Sequence, residues 1–289
     1  MIDHGEAEDE SANWTTTERT VTSDSVFRQK AAPFGITRAD LKKKRLSAHR
    51  FFALYETIFE PLKQKYASQP YLREADPTTW TEEQWMKQAG QMWAIENHVT
   101  KTMAVWLMTL TKGPHGEFLD VQRMLVRQMY EEHRHMKVWE DTFLKKGWVR
   151  SRYEMFELEV CRPNIWTHNM YAAMIDFPGL HYNPAVLAAG QHYPGEDFAG
   201  DMIMYIADNL KDPDLARPYE VQTVEEKHHS DIGKYIIWKY ADTPEVQELC
   251  LWWGLRGLES IRHWALGLIE FLYDKKIEAP VIEMPVVEL

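Results

Sequence analysis

Cysteine is scarce: 289 residues contain two, Cys161 and Cys250. They are too few for a disulfide scaffold and too far apart for a Cys-x-x-Cys knuckle, which fits a reducing cytoplasm. Positive charge is also short, since 33 Lys and Arg against 44 Asp and Glu leave a net charge of -11. Binding a nucleic acid requires a basic face that displaces counterions, and the cluster from Lys42 to Arg45 is one turn of polar helix. No run of 18 apolar residues occurs, so no segment has the length of a spanning helix. The stretch MIDHGEAEDESANW is acidic where a secretory signal is basic and then apolar. The expectation is a cytoplasmic protein with neither nucleic acid nor membrane as a partner. Flavin, iron–sulfur and nicotinamide motifs are missing too, so redox chemistry here would draw electrons from a separate reductase, a small reductant or the substrate.

What is present is apolar and aromatic. The 45% apolar content, with 12 Trp, 13 Tyr and 11 Phe, is ample for a sizeable core. Residues 1–30 are rich in acids, Ser and Thr, and read as a flexible acidic arm. Residues 31–276 read as one helical domain, and 277–289 as an extended apolar tail that docks on its own chain or on a partner. Apolar spacing predicts a helix from Leu41 to Tyr66 with Pro61 as a kink, and one from Thr81, as N-cap, to Leu110, stopped by Gly113-Pro114. Further helices are predicted from Glu117 to Lys146, Asn183 to Leu210 with an interruption at Pro194-Gly195, Tyr219 to Tyr240 after a loop from Pro213 to Pro218, and Pro244 to Lys275. Residues 152–182, with Pro163, Pro178 and Gly179, predict shorter helices joined by turns.

Two stretches echo each other, Glu131-Glu132-His133-Arg134-His135 and Glu225-Glu226-Lys227-His228-His229. Each contains a Glu-x-x-His pair, and residues three apart on a helix share a face. One such pair would be a charged helix surface; the repeat argues for a function. In the first copy, Glu132 and His135 continue the inward stripe of Val121, Leu125, Gln128 and Trp139. In the second, Glu225 with His228 and Glu226 with His229 fit periodicity equally well. Glu96 is the one acid between Met86 and Leu110, and a carboxylate in such company is paired, protonated or metal-bound. Glu196 follows Pro194-Gly195, with Asp197, Asp201 and Asp208 as rivals. Glu56 reads as solvent-facing. Two Glu-x-x-His helices, each joined by a Glu from another helix, can enclose a pair of metal ions.

The series Glu96, Glu132-x-x-His135, Glu196, Glu226-x-x-His229 resembles the ferritin-like di-iron carboxylate superfamily, and within it the oxygen-activating branch of monooxygenase hydroxylases and ribonucleotide reductase small subunits. Hydroxylase motifs often read acid-Glu-x-Arg-His, with Gly four residues after the second His; here Gly233 holds that place and His228 stands where Arg is usual. The resemblance covers roughly residues 81 to 240 and selects Glu226 and His229 as ligands. It implies an all-α fold, a ferritin-like four-helix bundle with additional flanking helices, and metal ligands Glu96, Glu132, His135, Glu196, Glu226 and His229, with Glu131 and Glu225 orienting the imidazoles. It further implies two iron ions, with Mn/Fe or Mn as variants, O2 as co-substrate, a small organic substrate, an external electron donor and a homodimer. Trp139 stands where radical-storing reductase subunits carry Tyr. The implied reaction is O2-dependent hydroxylation, N-oxygenation, desaturation or cleavage. Alternatives are ferritin- or rubrerythrin-like iron or peroxide handling, a helical scaffold subunit of an oxygenase, and a haem-oxygenase-like site using Glu259 and His263.

Overall fold

A computed structural model describes residues 32–67, 75–110, 118–164, 167, 183–277, 282, 285, 287 and 289, the side chains at 109, 198, 199, 201 and 202 excepted. The expected acidic arm, the stop at Gly113-Pro114 and the turns at Pro178-Gly179 lie outside the described residues. Among the described residues eight α-helices pack together: α1 Arg38–Lys44, α2 Ala48–Ala67, α3 Glu82–Leu110, α4 Leu119–Lys145, α5 Pro184–Gly190, α6 His192–Asn209, α7 Pro213–Tyr240 and α8 Pro244–Tyr273. No strand occurs among the described residues, and none of the helices is long and apolar enough to cross a membrane.

Helix ends follow local chemistry. Thr81 and Gln84 form a reciprocal cap for α3: the Gln84 N–H donates to Thr81 Oγ1, and the Thr81 N–H to Gln84 Oε1. Asp212 caps α7 by accepting from the backbone N–H groups of Asp214 and Leu215. Three expectations need correction. The helix expected from Leu41 is two, because Arg45 turns left-handed at φ 50 and closes α1 before α2 begins; Pro61 lies inside an α2 that continues through it. The break in the 183–210 segment falls at Gln191, not at Pro194-Gly195. Pro194 sits in the first turn of α6, where a missing N–H costs no intrahelical bond. Finally, the expected loop from Pro213 to Pro218 is the first part of α7. Pro213 occupies a first-turn position, and the Asp214 carbonyl, which Pro218 cannot serve, accepts a hydrogen bond from Thr142 Oγ1 of α4 at 3.1 Å.

α3, α4, α6 and α7 surround the candidate site. Contacts between Glu82 and Trp148 and between Trp93 and Glu140 make α3 and α4 antiparallel neighbours. Asp120 with Tyr240, and Thr142 with Asp214, make α4 and α7 antiparallel. α6 runs antiparallel to α7 and so close that a Cβ on Gly233 would meet His192 Cβ at 2.4 Å. α5, α8 and α2 cover these helices from outside. The described tail residues dock on this chain itself: Ile282 is buried, and the Val287 N–H donates to the Phe34 carbonyl.

The apolar core is in two parts. One gathers Phe51, Tyr55, Trp106, Leu125, Ile232 and Ile236; the other gathers Trp85, Trp93, Trp139, Phe143, Tyr219 and Trp264. In each of the four central helices the polar site residues fall between the segments that feed these clusters: Glu96 in α3, residues 128–135 in α4, Glu196 in α6 and residues 222–229 in α7.

Candidate metal centre

The α4 stripe Val121, Leu125, Gln128, Glu132, His135 and Trp139 is buried along its length, which carries Glu132 and His135 inward. On α7 the buried stripe is Tyr219, Gln222, Glu226, His229, Gly233 and Ile236, so the register that periodicity left open places Glu226 and His229 inside. Glu225 and His228 are half-buried. Glu96 of α3 is 3% exposed and His229 is fully buried. Glu196 of α6 is half-buried.

Two triads form among the described residues, Glu96–Glu132–His135 and Glu132–Glu196–His229, in each of which one ligand-type atom from every residue lies within 4.8 Å of the other two. Glu132 belongs to both. Its Oε2 is 3.1 Å from His135 Nδ1 and its Oε1 is 3.2 Å from His229 Nδ1. Glu226 repeats the arrangement from the opposite helix, with Oε1 3.6 Å from His135 Nδ1 and Oε2 3.4 Å from His229 Nδ1. Glu96 Oε2 adds a contact on the His135 side at 3.8 Å. Donor atoms bound at right angles to one ion at about 2.1 Å stand roughly 3 Å apart, so each triad has spacings of the order that could hold a metal ion.

The outer nitrogens sharpen this. His135 Nε2 donates to Glu225 Oε2 at 2.8 Å, and His229 Nε2 donates to Glu131 Oε2 at 3.0 Å. With Nε2 protonated, each Nδ1 presents a lone pair to carboxylate oxygens, an arrangement that requires a cation or an added proton between them. His229 Nδ1 is buried with no hydrogen-bond partner. The donor set, four carboxylates and two imidazoles, is one that hard divalent ions take.

The supports cross between helices. Glu131 of α4 holds the imidazole of α7, and Glu225 of α7 holds that of α4. Arg134 pairs with Glu225 at 2.9 Å. The matching position on α7 is His228, and Glu131 is served instead by Arg127, 2.8 Å away on its own helix. Gln222 Nε2 donates to Glu96 Oε1 at 2.6 Å. Gln128 Nε2 donates to Glu196 Oε1 at 2.9 Å and to Glu132 Oε1 at 3.2 Å, and Gln128 Oε1 accepts from His192 Nε2 at 2.8 Å. Sequence reasoning did not give these glutamines or His192 a role, although the spacing Gln-x-x-x-Glu-x-x-His occurs in both copies.

Charges inside the site are tightly coupled. Burial pushes Glu96 and Glu196 well above the ordinary carboxylate range, and neighbouring carboxylates add to the rise. Burial acts the same way on Glu132, but the imidazoles of His229 and His135 outweigh it and hold this carboxylate well below that range. Burial would depress both histidines; the carboxylates around them instead raise His135 well above its usual value and His229 to about 12. His192, buried and beside His229, falls to about 3 and stays neutral.

Asp197, a rival of Glu196, is ion-paired with Lys63 and with Lys234 and accepts from Ser230. Asp208 is exposed, and the side chain of Asp201 lies outside those described. Glu56 is half-buried rather than fully solvent-facing, because α2 packs on α7. Glu259 accepts from Tyr66 and pairs with Arg262, and His263 is exposed. Trp93 and Trp139 belong to the apolar core, and Met129 packs partly buried against it. No protein family, curated protein or solved structure matches the chain.

Proposed function

We propose that the protein is a non-haem di-iron oxygenase or oxidase, built on a ferritin-like four-helix bundle, that uses O2 to oxidise a small organic substrate. The observation that carries this reading is the placement of Glu132 and Glu226, each with one oxygen beside each of the two inward-facing Nδ1 atoms. Glu96 and His135 would hold one ion with these carboxylates, and Glu196 and His229 the other. Two reduced iron ions held by these residues would supply electrons and open coordination positions for O2 chemistry. The chain's own contribution is positional. Glu131 and Glu225 fix the imidazole tautomers, Gln128 and Gln222 aim the outer carboxylates, and the apolar clusters keep water from the reacting atoms. Substrate and electron donor are supplied from outside the chain.

The test is elemental analysis of protein expressed with added iron, followed by anaerobic reduction and rapid mixing with O2. About two metal ions per chain are expected, lost in Glu132→Ala and His229→Ala, with an optical change on mixing. Stoichiometric metal indifferent to both substitutions, or none, would sink the assignment and leave a helical scaffold. Iron that accumulates well beyond two per chain would favour storage.

A further inference from the structure

Each of the four helices that carry candidate metal ligands has one end in the wall of a cavity of about 660 Å³. α3 enters it with Trp85, α4 leaves it with Lys146, α6 leaves it with Asn209, and α7 enters it with the capping Asp212. The cavity is not at the carboxylates. Glu96 lies eleven residues from Trp85, His135 eleven from Lys146, Glu196 thirteen from Asn209 and Glu226 fourteen from Asp212, which is roughly 17–21 Å along each helix. A molecule bound here would be out of reach of chemistry at the ions, and it would touch an end of every helix that holds them.

The wall offers ring faces and one unmatched charge. Trp80 and Trp85 meet edge-on with centroids 4.9 Å apart, and Trp148 and Tyr205 complete the aromatic lining. The Trp80 Nε1–H donates to the Tyr273 hydroxyl at 2.8 Å and the Trp148 Nε1–H to Glu82 Oε1 at 3.0 Å. With those donors engaged, what these two indoles present to a ligand is their faces. Both carboxylates of the wall are occupied as acceptors: Glu82 by Trp148, and Asp212 by the backbone N–H groups at the start of α7 and by Lys146 at 2.9 Å. Lys211, in the link between α6 and α7, is exposed and has no ion pair among the described residues.

We propose that this cavity is a second ligand site, separate from the metal centre, that binds a planar aromatic carboxylate of two or three fused rings, with its rings against the indole and phenol faces and its carboxylate on Lys211. Cavities of roughly 300–1,000 Å³ bury most of a ligand of that size. Aromatic walls also attract ammonium groups, but Lys211 would repel one, and the two acids that could receive it are already engaged. Because the ligand joins the ends of α3, α4, α6 and α7, and those ends part on unfolding, binding raises the thermal stability of the bundle by mass action. The inference goes beyond the di-iron reading and does not depend on it.

Naphthoate is the probe, titrated calorimetrically into the purified full chain. A Kd of about 0.1 mM is expected, about tenfold tighter than for the neutral naphthylmethanol or the cationic naphthylmethyl-trimethylammonium. Lys211→Gln changes an exposed side chain, so the circular dichroism should be that of the parent while the preference for carboxylate over alcohol disappears. Tyr205→Ala, also at an exposed position, should weaken all three probes by about threefold to tenfold. Location is read by fluorine NMR of protein carrying fluorotryptophan at its 12 Trp positions. The resonances assigned through Trp80→Phe, Trp85→Phe and Trp148→Phe should move with naphthoate, and that of Trp106, in the other apolar cluster, should stay. No binding at millimolar naphthoate, tighter binding of the ammonium, equal binding by the parent and Lys211→Gln, or shifts that spare those three indoles would each overturn the proposal. None of these readouts uses iron, so loss of the di-iron reading leaves this site standing, and the reverse holds.

Discussion

Glu131 touches no candidate ion, yet removing it should weaken one ion selectively. Its Oε2 accepts from His229 Nε2 at 3.0 Å, and Arg127 steadies its other oxygen at 2.8 Å. That contact fixes which nitrogen of His229 carries the proton and how basic Nδ1 is. Loss of such a partner typically costs 10- to 100-fold in metal affinity, or about 1.4–2.8 kcal/mol. Glu131→Ala should therefore weaken the ion held by Glu132, Glu196 and His229 by about that factor. Glu131→Gln keeps an acceptor and loses only the charge, so its effect should be a few-fold. The ion beside His135, whose outer nitrogen rests on Glu225, should change far less. Anaerobic titration with Co(II) against a competing chelator reads the two affinities separately, and Glu225→Ala supplies the mirror image. Equal weakening of both ions in Glu131→Ala, or Ala and Gln acting alike, would refute the crossed arrangement.

Thr142→Val leaves the Asp214 carbonyl without the donor that replaces the missing Pro218 N–H; a cost of about 1–2 kcal/mol and a Tm roughly 2–6 °C lower are expected, with metal stoichiometry intact. Unchanged thermal stability would refute it. Gly233→Ala should destabilise by ~1–3 kcal/mol and also weaken the ion at Glu196, because the new Cβ would push α6 off α7 at His192; urea unfolding with metal analysis decides, and a neutral result would mean that the helices part freely. For Asp120, slight burial pushes its pKa up, but Lys239, Tyr240 and Tyr235 outweigh it and bring the value to about 2. A depressed carboxylate stabilises above its unfolded pKa, near 3.9, and loses this as pH falls through about 2. Solvent screening limits the effect to about 0.5–1 kcal/mol, so the gap between the parent and Asp120→Asn should be of that size near neutrality and close toward about pH 2. A gap that widens on acidification would contradict the sign.

The α4 half of the site was legible because Val121, Leu125, Gln128, Glu132, His135 and Trp139 follow one helical stripe and the helix has no breaker. α7 was harder. Its two acids and two histidines are adjacent pairs, so shifting the stripe by one residue changes the ligands without spoiling the pattern; packing against α4 and α6 removes that freedom. The misread breaks have two causes: Pro194 and Pro213 stand in first turns, where the missing N–H costs no intrahelical bond, while Pro218 lies inside α7 and the carbonyl it cannot serve is served by Thr142. Arg45 closes α1 left-handed with neither Gly nor Pro to announce it. The crossed contacts of Glu131 and Glu225 depend on α4 and α7 running antiparallel with their motifs level, a tertiary fact that no local window contains. The repeated Gln-x-x-x-Glu-x-x-His spacing was the available clue that Gln128 and Gln222 act with the ligands.

Charge balance links this geometry to pH. Without metal, Glu96 and Glu196 hold protons to higher pH than free carboxyls, and His135 and His229 stay protonated well above the usual imidazole range. Those protons offset the repulsion among so many buried acids. Ligands bind metal deprotonated, so each ion must displace them. The sign follows: a group protonated in the metal-free protein and deprotonated in the loaded one makes affinity rise with pH, by about tenfold per pH unit for each proton released. Adding Co(II) to metal-free protein in weak buffer should acidify the solution, and affinity should fall steeply from about pH 8 to about pH 6. Glu132, already held ionised by the two imidazoles, should release none. Its conversion to Gln should abolish shared binding and, because the Glu132 charge helps keep His229 and His135 protonated, lower the number of protons that metal addition releases. Flat affinity across that range, with no acidification, would mean that the cluster balances its charge without the protons inferred here and does not use Glu96, Glu196, His135 and His229 to bind metal.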